Sequence, residues 1–241
     1  MIIKTGNGLL IQCVKTMKKR VIIHFYYLFL SVVLAVPTFA QPSLGIYFSY
    51  DNTRYSGDIP SGFKYEFKGG YSIGVSSEFK IAEDVYLCLR PAYGSNGSNV
   101  STRIDTLFVD EDLNPIDSLF IFDINTRAVN LPILFKVMVN KSFYAIAGAY
   151  TSYVLTADAN VAGFSKEVLP QMSRFQVQSA FGFGFKLPIK RSLVNIELTY
   201  VQSLNTVTKT RAIEEREAPR LRNQGLTASL HFLIPTTKPR P

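Results

Sequence analysis

Residues Gln176–Tyr200 read QVQSAFGFGFKLPIKRSLVNIELTY, and this stretch decides the fold. Val177, Phe181, Phe183 and Phe185 alternate with Gln176, Gln178, Gly182, Gly184 and Lys186. After Pro188-Ile189-Lys190-Arg191, the residues Val194, Ile196, Leu198 and Tyr200 alternate with Asn195, Glu197 and Thr199. Successive side chains of a strand point to opposite faces, so a period of two with one apolar set predicts two strands, each with one greasy face, joined by a tight turn.

The same pattern extends in both directions. One face of each further strand is Leu44, Ile46, Phe48, Tyr50; Tyr71, Ile73, Val75, Phe79; Val85, Leu87, Leu89, Tyr93; Val129, Leu131, Ile133, Phe135, Val137; and Leu226, Ala228, Leu230, Phe232. A strand from about Phe143 to Leu155 completes the set, its alternation blurred by Ala145, Ala147 and Ala149. Eight strands result. Ala82-Glu83-Asp84, Asn140-Lys141-Ser142 and Pro188–Arg191 are short connectors; those near 51–68, 96–118, 156–173 and 205–222 are long and polar. Short turns at one rim and long loops at the other are what an up-and-down transmembrane β-barrel writes into its sequence. With an even strand count both ends of the domain lie on the short-turn, periplasmic side, and the long loops face outward.

Alternation alone leaves two orientations open. A soluble periplasmic lipid-binding barrel would turn the apolar face inward around a ligand. Three features favour the reverse. The apolar face is continuous, with Tyr50, Tyr71, Tyr93, Tyr144 and Tyr200 near strand ends as in interfacial girdles. The other face is rich in small residues (Gly74, Ala92, Gly182, Gly184), as a narrow interior requires. Its charges, Glu78 and Glu197 with Arg90 and Lys136, come in both signs and can neutralise one another across a lumen. These four residues are the predicted polar network of the interior. The expected architecture is all-β, an eight-stranded antiparallel transmembrane barrel in the outer membrane.

Residues 1–40 read as a leader. They carry Lys4, Lys15, Lys18, Lys19 and Arg20 and no acidic residue, then the apolar run Val21 to Val36 and small residues up to Ala40. That order describes a signal peptide with cleavage after Ala40, and Met17 is a natural start. The apolar run is shorter than the ~20 residues a spanning helix needs. The domain proper is 41–241. The whole chain has 26 basic and 18 acidic residues, +8; without the leader's five the balance is 21 against 18, or +3. A nearly balanced domain gives no footing to nucleic-acid binding. Of two cysteines only Cys88 lies beyond the leader, so no internal disulfide is expected.

Leu131-Pro132-Ile133-Leu134-Phe135-Lys136, a short turn, then Tyr144-Ala145-Ile146-Ala147-Gly148-Ala149-Tyr150 resembles the fourth and fifth strands of the PorT-like outer-membrane β-barrel proteins of Bacteroidetes. The likeness in layout covers about 43–234, while the specific motif is confined to this hairpin. It implies the fold and little chemistry; the founding member's association with a secretion and gliding apparatus implies that setting as an expectation. Pro132 removes a ladder donor from a strand without a free edge, which predicts a bulge or bend there.

Candidate chemistry is sparse. Gly70-Tyr71-Ser72-Ile73-Gly74 matches the G-x-S-x-G string, and Ser72 with His231 defines the alternative of an outer-membrane lipid hydrolase. The string needs a strand-to-helix elbow to expose its serine, and none follows here. Phe181–Phe185 lacks the third glycine and the helix of a phosphate loop. Asp110–Asp117 gathers oxygen ligands but lacks the mid-loop glycine and closing glutamate of a calcium loop. The segment Lys209 to Arg222 mixes Glu214, Glu215 and Glu217 with Arg211, Arg216, Arg220 and Arg222, a composition suited to lipopolysaccharide head groups or to plain solubility. The expectation is therefore a non-enzymatic membrane protein without a cofactor. Its lumen is filled by side chains, and it works through its loops or as a structural or secretion-associated component. Its partners would be outer-membrane lipid, lipopolysaccharide and other envelope or secretion proteins, not nucleic acid.

Overall fold

A computed structural model describes residues 42–104, 118–161, 163–190, 192–209 and 219–235. The leader, the acidic segment Asp110–Asp117 and the stretch from Arg211 to Glu217 lie outside the described residues. The strands are β1 (Pro42–Gly57), β2 (Phe63–Glu66), β3 (Lys68–Ala82), β4 (Val85–Leu89), β5 (Ala92–Ile104), β6 (Ser118–Met138), β7 (Phe143–Val161), β8 (Phe164–Glu167), β9 (Phe175–Ile189), β10 (Ser192–Ser203) and β11 (Leu221–Pro235), with a 3-10 turn at Leu169–Gln171.

All pairings are antiparallel, and the sheet closes. β1 pairs with β3, β3 with β4 and β5, both of these with β6, β6 with β7, β7 with β9, β9 with β10, β10 with β11, and β11 with β1. β4 and β5 together make one stave, so the barrel has the eight staves expected. Closure leaves the membrane-spanning part without an open edge, which hydrocarbon demands.

Polar side chains point inward and apolar ones outward. Ser49, Ser76, Lys136, Asn195 and His231 are fully buried, while Ile46, Ile73, Phe135, Phe181, Phe183, Ile196, Leu198 and Phe232 are among the exposed large apolar residues. The soluble lipid-binding alternative is thereby overturned, because its interior would have to be the apolar face. Along β6 and the residue that follows it, the outward apolar series runs from Val129 to Val139. That is roughly 33 Å of strand, or about 25 Å of membrane normal after a ~40° tilt, the height of an outer-membrane apolar band.

Four expectations are corrected. The third strand is broken at Arg90-Pro91 into β4 and β5. The break lies opposite Pro132: the Arg90 amide donates to the Pro132 carbonyl (3.2 Å), but Pro132 has no N–H to return, and the Arg90 carbonyl instead accepts the Tyr47 hydroxyl at 3.5 Å. The defect thus appears in the neighbour, and β6 pairs with β7 in unbroken register through Pro132. Second, the bulge in that pair falls at Leu155, where Arg127 faces Thr156 and Ala128 faces Val154; the extra residue reverses the phase of β7, so Ala157 turns inward.

Third, Tyr144 is not a girdle residue. It is fully buried in the lumen, while Ala145 and Ala147 face out. Ala145 sits between Val137 and Phe183 on the flanking strands, which supply the apolar surface that the alanine lacks. Fourth, the long connectors are largely strand. β1, β5, β6 and β7 continue past the apolar band, and β2-β5-β6-β7-β8 form a five-stranded sheet beyond it. Alternation fades there because the outward face meets water and no longer hydrocarbon, so the continuous apolar face that reveals strands in the membrane is missing.

The outer mouth has an apolar core of its own. Tyr55, Val154, Ala157, Leu169, Met172, Val207 and Leu221 are buried together, with Tyr65, Ile124 and Val168 against them. Backbone bonds tie the segment after β8 to the one after β10: Ser173 N–H to the Val207 carbonyl at 2.6 Å and Lys209 N–H to the Gln171 carbonyl at 2.8 Å.

Candidate functional site

The lumen is where the sequence places its network of inward charges, and the register of the strands assembles it. Glu197 on β10 stands beside Gly184 on β9, which stands beside Tyr144 on β7. A Cβ on Gly184 would lie 2.5 Å from Tyr144 Cζ and 2.8 Å from Glu197 Cγ. The missing side chain is therefore the space through which Tyr144 reaches across a strand to donate its hydroxyl to Glu197 Oε1 at 2.7 Å. The glycines of Phe181–Phe185 leave interior room, and the phenylalanines face out.

All four predicted network residues meet. Arg90 grips Glu197 with both terminal nitrogens, Nη1 to Oε2 at 2.5 Å and Nη2 to Oε1 at 2.7 Å. Such a bidentate pair is planar and directional. Lys136 Nζ donates to Glu78 Oε2 at 2.5 Å, Asn195 Nδ2 to Glu78 Oε1 at 2.9 Å, and Arg90 Nη2 lies 3.9 Å from Glu78 Oε1, joining the two pairs. Lys136 also stands over the Tyr144 ring at 4.6 Å and the Tyr86 ring at 5.5 Å. Two carboxylates and two cations balance. Every one of these side chains is at least nine-tenths buried. Sequence reasoning did not find Tyr144 and Asn195, because alternation gives a face and not a partner.

Ser72 and His231 are not brought together. Ser72 donates to Asp51 Oδ2 at 2.7 Å. His231 stacks on Tyr47 (centroids 5.2 Å apart), and its Nε2 lies 2.9 Å from Ser229 Oγ and 3.4 Å from Glu197 Oε2. A catalytic triad places the serine on one imidazole nitrogen and the acid on the other. Here both neighbours share Nε2, and the buried Nδ1 has no partner among the described residues. The Ser72–His231 hydrolase alternative fails on this geometry.

A second polar layer lies around Asp51, near the outer end of the spanning part of β1. Its carboxylate accepts the hydroxyls of Ser72, Thr227 (2.8 Å) and Ser49 (3.4 Å). A cavity of about 20 Å³ beside it is lined by Thr53, Asn130, Gln178, Asn223 and Thr227 among others. No group of three or more His, Cys, Asp or Glu side chains is placed to hold a metal among the described residues. Cys88 is buried with a free thiol.

A closed eight-stave barrel with a greasy exterior and an ionic interior now has a counterpart among known families. The family model of the outer membrane protein β-barrel domain matches residues 39–209. The chain belongs to that family. The family's location, the cell outer membrane, agrees with the outward apolar band. Among solved structures the chain is similar to neisserial surface protein A (10% identity, TM-score 0.44, covering 80% of this chain and 96% of that one). It is also similar to Ail, the attachment invasion locus protein of Yersinia pestis (12%, 0.39, 80% and 99%), and to the translocator domain of the autotransporter NalP from Neisseria meningitidis (8%, 0.34, 91% and 97%). No curated protein matches.

Proposed function

We propose that this protein is a non-enzymatic outer-membrane barrel whose lumen is a structural plug and whose dealings with other molecules take place at its outer end. The observation that carries this reading is the ionic bridge across the interior. Arg90, Glu197, Glu78 and Lys136 link the break after β4 to β10, β3 and β6 by charge-assisted bonds at the level where a pore would have to pass. Eight staves leave an interior just wide enough for side chains, and the apolar cluster around Tyr55 and Leu221 adds a second obstruction at the mouth. With the interior filled, recognition falls to the sheet beyond the membrane and the segments between its strands.

Lipopolysaccharide and other envelope proteins are the partners that fit this placement. Arg54 and Arg222 stand on outward positions of β1 and β11, just beyond Tyr50 and Leu226, at the height of the outer leaflet's head groups. The hairpin that resembles PorT-like proteins supports a secretion- or gliding-associated setting. Of its residues, Lys136 and Tyr144 belong to the plug, so the likeness speaks for the barrel's construction first. Two measurements test the reading. The protein in a planar bilayer is expected to give no discrete conductance; a steady open-channel current overturns the plug. Crosslinking on intact cells is expected to trap partners through cysteines placed at exposed Phe164 or Lys166, and not through ones on the short turns at Lys141; the opposite pattern overturns the outer-end assignment.

A further inference from the structure

We propose that Lys136 and Asn195 react in the folded barrel to form a side-chain amide, with Glu78 as proton carrier, linking β6 to β10 covalently across the lumen. One carboxylate holds both reactants. Glu78 Oε2 accepts Lys136 Nζ at 2.5 Å, and Oε1 accepts Asn195 Nδ2 at 2.9 Å. A nucleophilic nitrogen and an amide are thus gathered on the two oxygens of one acid, from strands that are not neighbours in the sheet. Lys136 and Asn195 are fully buried, and Glu78 is 3% exposed. The rings of Tyr144 and Tyr86 lie 4.6 and 5.5 Å from Nζ, and the buried Cys88 stands beside Glu78 on the neighbouring strand. Asn195 Oδ1 has no hydrogen-bond partner among the described residues. A buried amide kept for structure alone would have both ends engaged; here the acid holds the nitrogen and nothing holds the carbonyl.

The step balances without a co-reactant. The Nζ ammonium passes one proton to Glu78 Oε2, which turns the ion pair into an uncharged amine and carboxylic acid. The Nζ lone pair attacks Asn195 Cγ, the Cγ–Nζ bond forms, and negative charge develops on Oδ1. Positive charge stands in the same cluster: Arg90 Nη2 lies 3.9 Å from Glu78 Oε1, and Arg90 Nε is a buried donor without a partner among the described residues. Glu78 gives its proton to Nδ2 and takes another from Nζ. The carbonyl re-forms, the Cγ–Nδ2 bond breaks and ammonia leaves. The products are the amide, ammonia and a protonated Glu78. One charge of each sign has gone, and the Arg90–Glu197 pair stays matched. Holding the reactants on one carboxylate makes the encounter intramolecular, which is where most of the acceleration of such a reaction arises. The reaction runs once per chain and acts on no outside substrate. The ion pair is the state of the freshly folded barrel, and the link accumulates in it, whatever molecules the outer end recognises.

The test starts from protein unfolded in urea and refolded into detergent, with folding followed by heat-modifiable gel mobility. Samples taken over time are unfolded, digested with trypsin and weighed by mass spectrometry. A branched peptide is expected that joins Ala128–Lys141 to Ser192–Lys209, uncut at Lys136 and lighter than its two parts by one ammonia. It should appear only after folding, at a rate independent of protein concentration. Glu78→Gln removes the proton carrier and is expected to slow its appearance by about a hundredfold; Asn195→Ala is expected to abolish it. Aged, folded wild-type protein in which trypsin cuts fully at Lys136 overturns the proposal, and leaves the plug reading to its own bilayer measurement. A branched peptide that forms as fast in Glu78→Gln, or in urea, also overturns it. Should Glu78→Gln fail to fold, the wild-type time course and Asn195→Ala still decide.

Discussion

Replacing Lys136 by Met removes one cation from a site that water does not reach. The Lys136 side chain is fully buried and that of Glu78 is 3% exposed, with Nζ and Oε2 2.5 Å apart. Deleting one partner of a buried pair costs about 3–5 kcal/mol, mostly because the other charge is left behind. Glu78 keeps the Asn195 amide at 2.9 Å and Arg90 at 3.9 Å, so the low end of that range, about 3 kcal/mol, is expected. For a domain of this size each kcal/mol moves the midpoint by about 2–4 °C, giving a fall of roughly 6–12 °C. Heat-modifiable gel mobility, read over a temperature series in detergent, measures it. Adding Glu78→Gln to Lys136→Met removes the orphaned carboxylate as well, and should recover at least half of the loss. An unchanged midpoint for Lys136→Met, or a double variant that loses the sum of both single effects, refutes the account of the lumen as a coupled ionic network.

Three further outcomes follow from the same structure. Gly184→Ala puts a methyl group against the Tyr144 ring and Glu197, an overpacking cost of about 1–3 kcal/mol; the folded fraction should fall, and pairing it with Tyr144→Phe, which keeps the ring, should not restore it, whereas Tyr144→Ala should restore part. With Cys88 replaced by Ser, single cysteines at Phe183 and Leu198 should react with an apolar membrane-partitioned reagent and those at Gly182 and Glu197 should not; the reverse would mean that the barrel is inside out. Beyond the membrane, burial disfavours the Asp123 carboxylate, but Lys68 and the Asn160 and Asn125 amides outweigh it and hold its carboxyl below the usual range. A depressed folded-state value stabilises above the unfolded value, near about 3.9, and that stability is lost as pH falls through the folded one. Because Asp123 is partly exposed the effect is below about 1 kcal/mol; acid should increase protease nicking of β6 before the barrel melts, and Asp123→Asn should remove that pH dependence.

Much of the barrel was legible because the membrane imposes a strict rule on its strands. Val194, Ile196 and Leu198 must face hydrocarbon while Asn195, Glu197 and Thr199 face the lumen, and this writes a period of two. Where the rule relaxes, legibility fails. Beyond the apolar band the strands of β5, β6 and β7 carry no such alternation, and connectors that read as loops are sheet. Along β7 the alanines leave the two faces alike in hydropathy, so nothing in the local sequence tells that Tyr144 turns inward. The apolar cap around Tyr55, Leu169 and Val207 left no pattern, since it is gathered from segments far apart in the chain.

The candidate site shows the same division. Glu78, Arg90, Lys136 and Glu197 could be picked from the chain as inward charges of both signs, because a narrow interior of low dielectric tolerates charge only where an opposite charge meets it. Their pairing could not, because it depends on shear between strands: which residue of β9 lies beside Glu197, and whether that residue is a glycine that lets Tyr144 through. The amino-acid order alone determined the number of staves, their direction of travel and, outside β7, which side chains avoid lipid. Closure of the sheet decided who touches whom, set Asp51 apart from the matched charges and placed Ser72 away from His231. Face is a local property of alternating backbone geometry, whereas contact across a barrel depends on register summed around the whole ring.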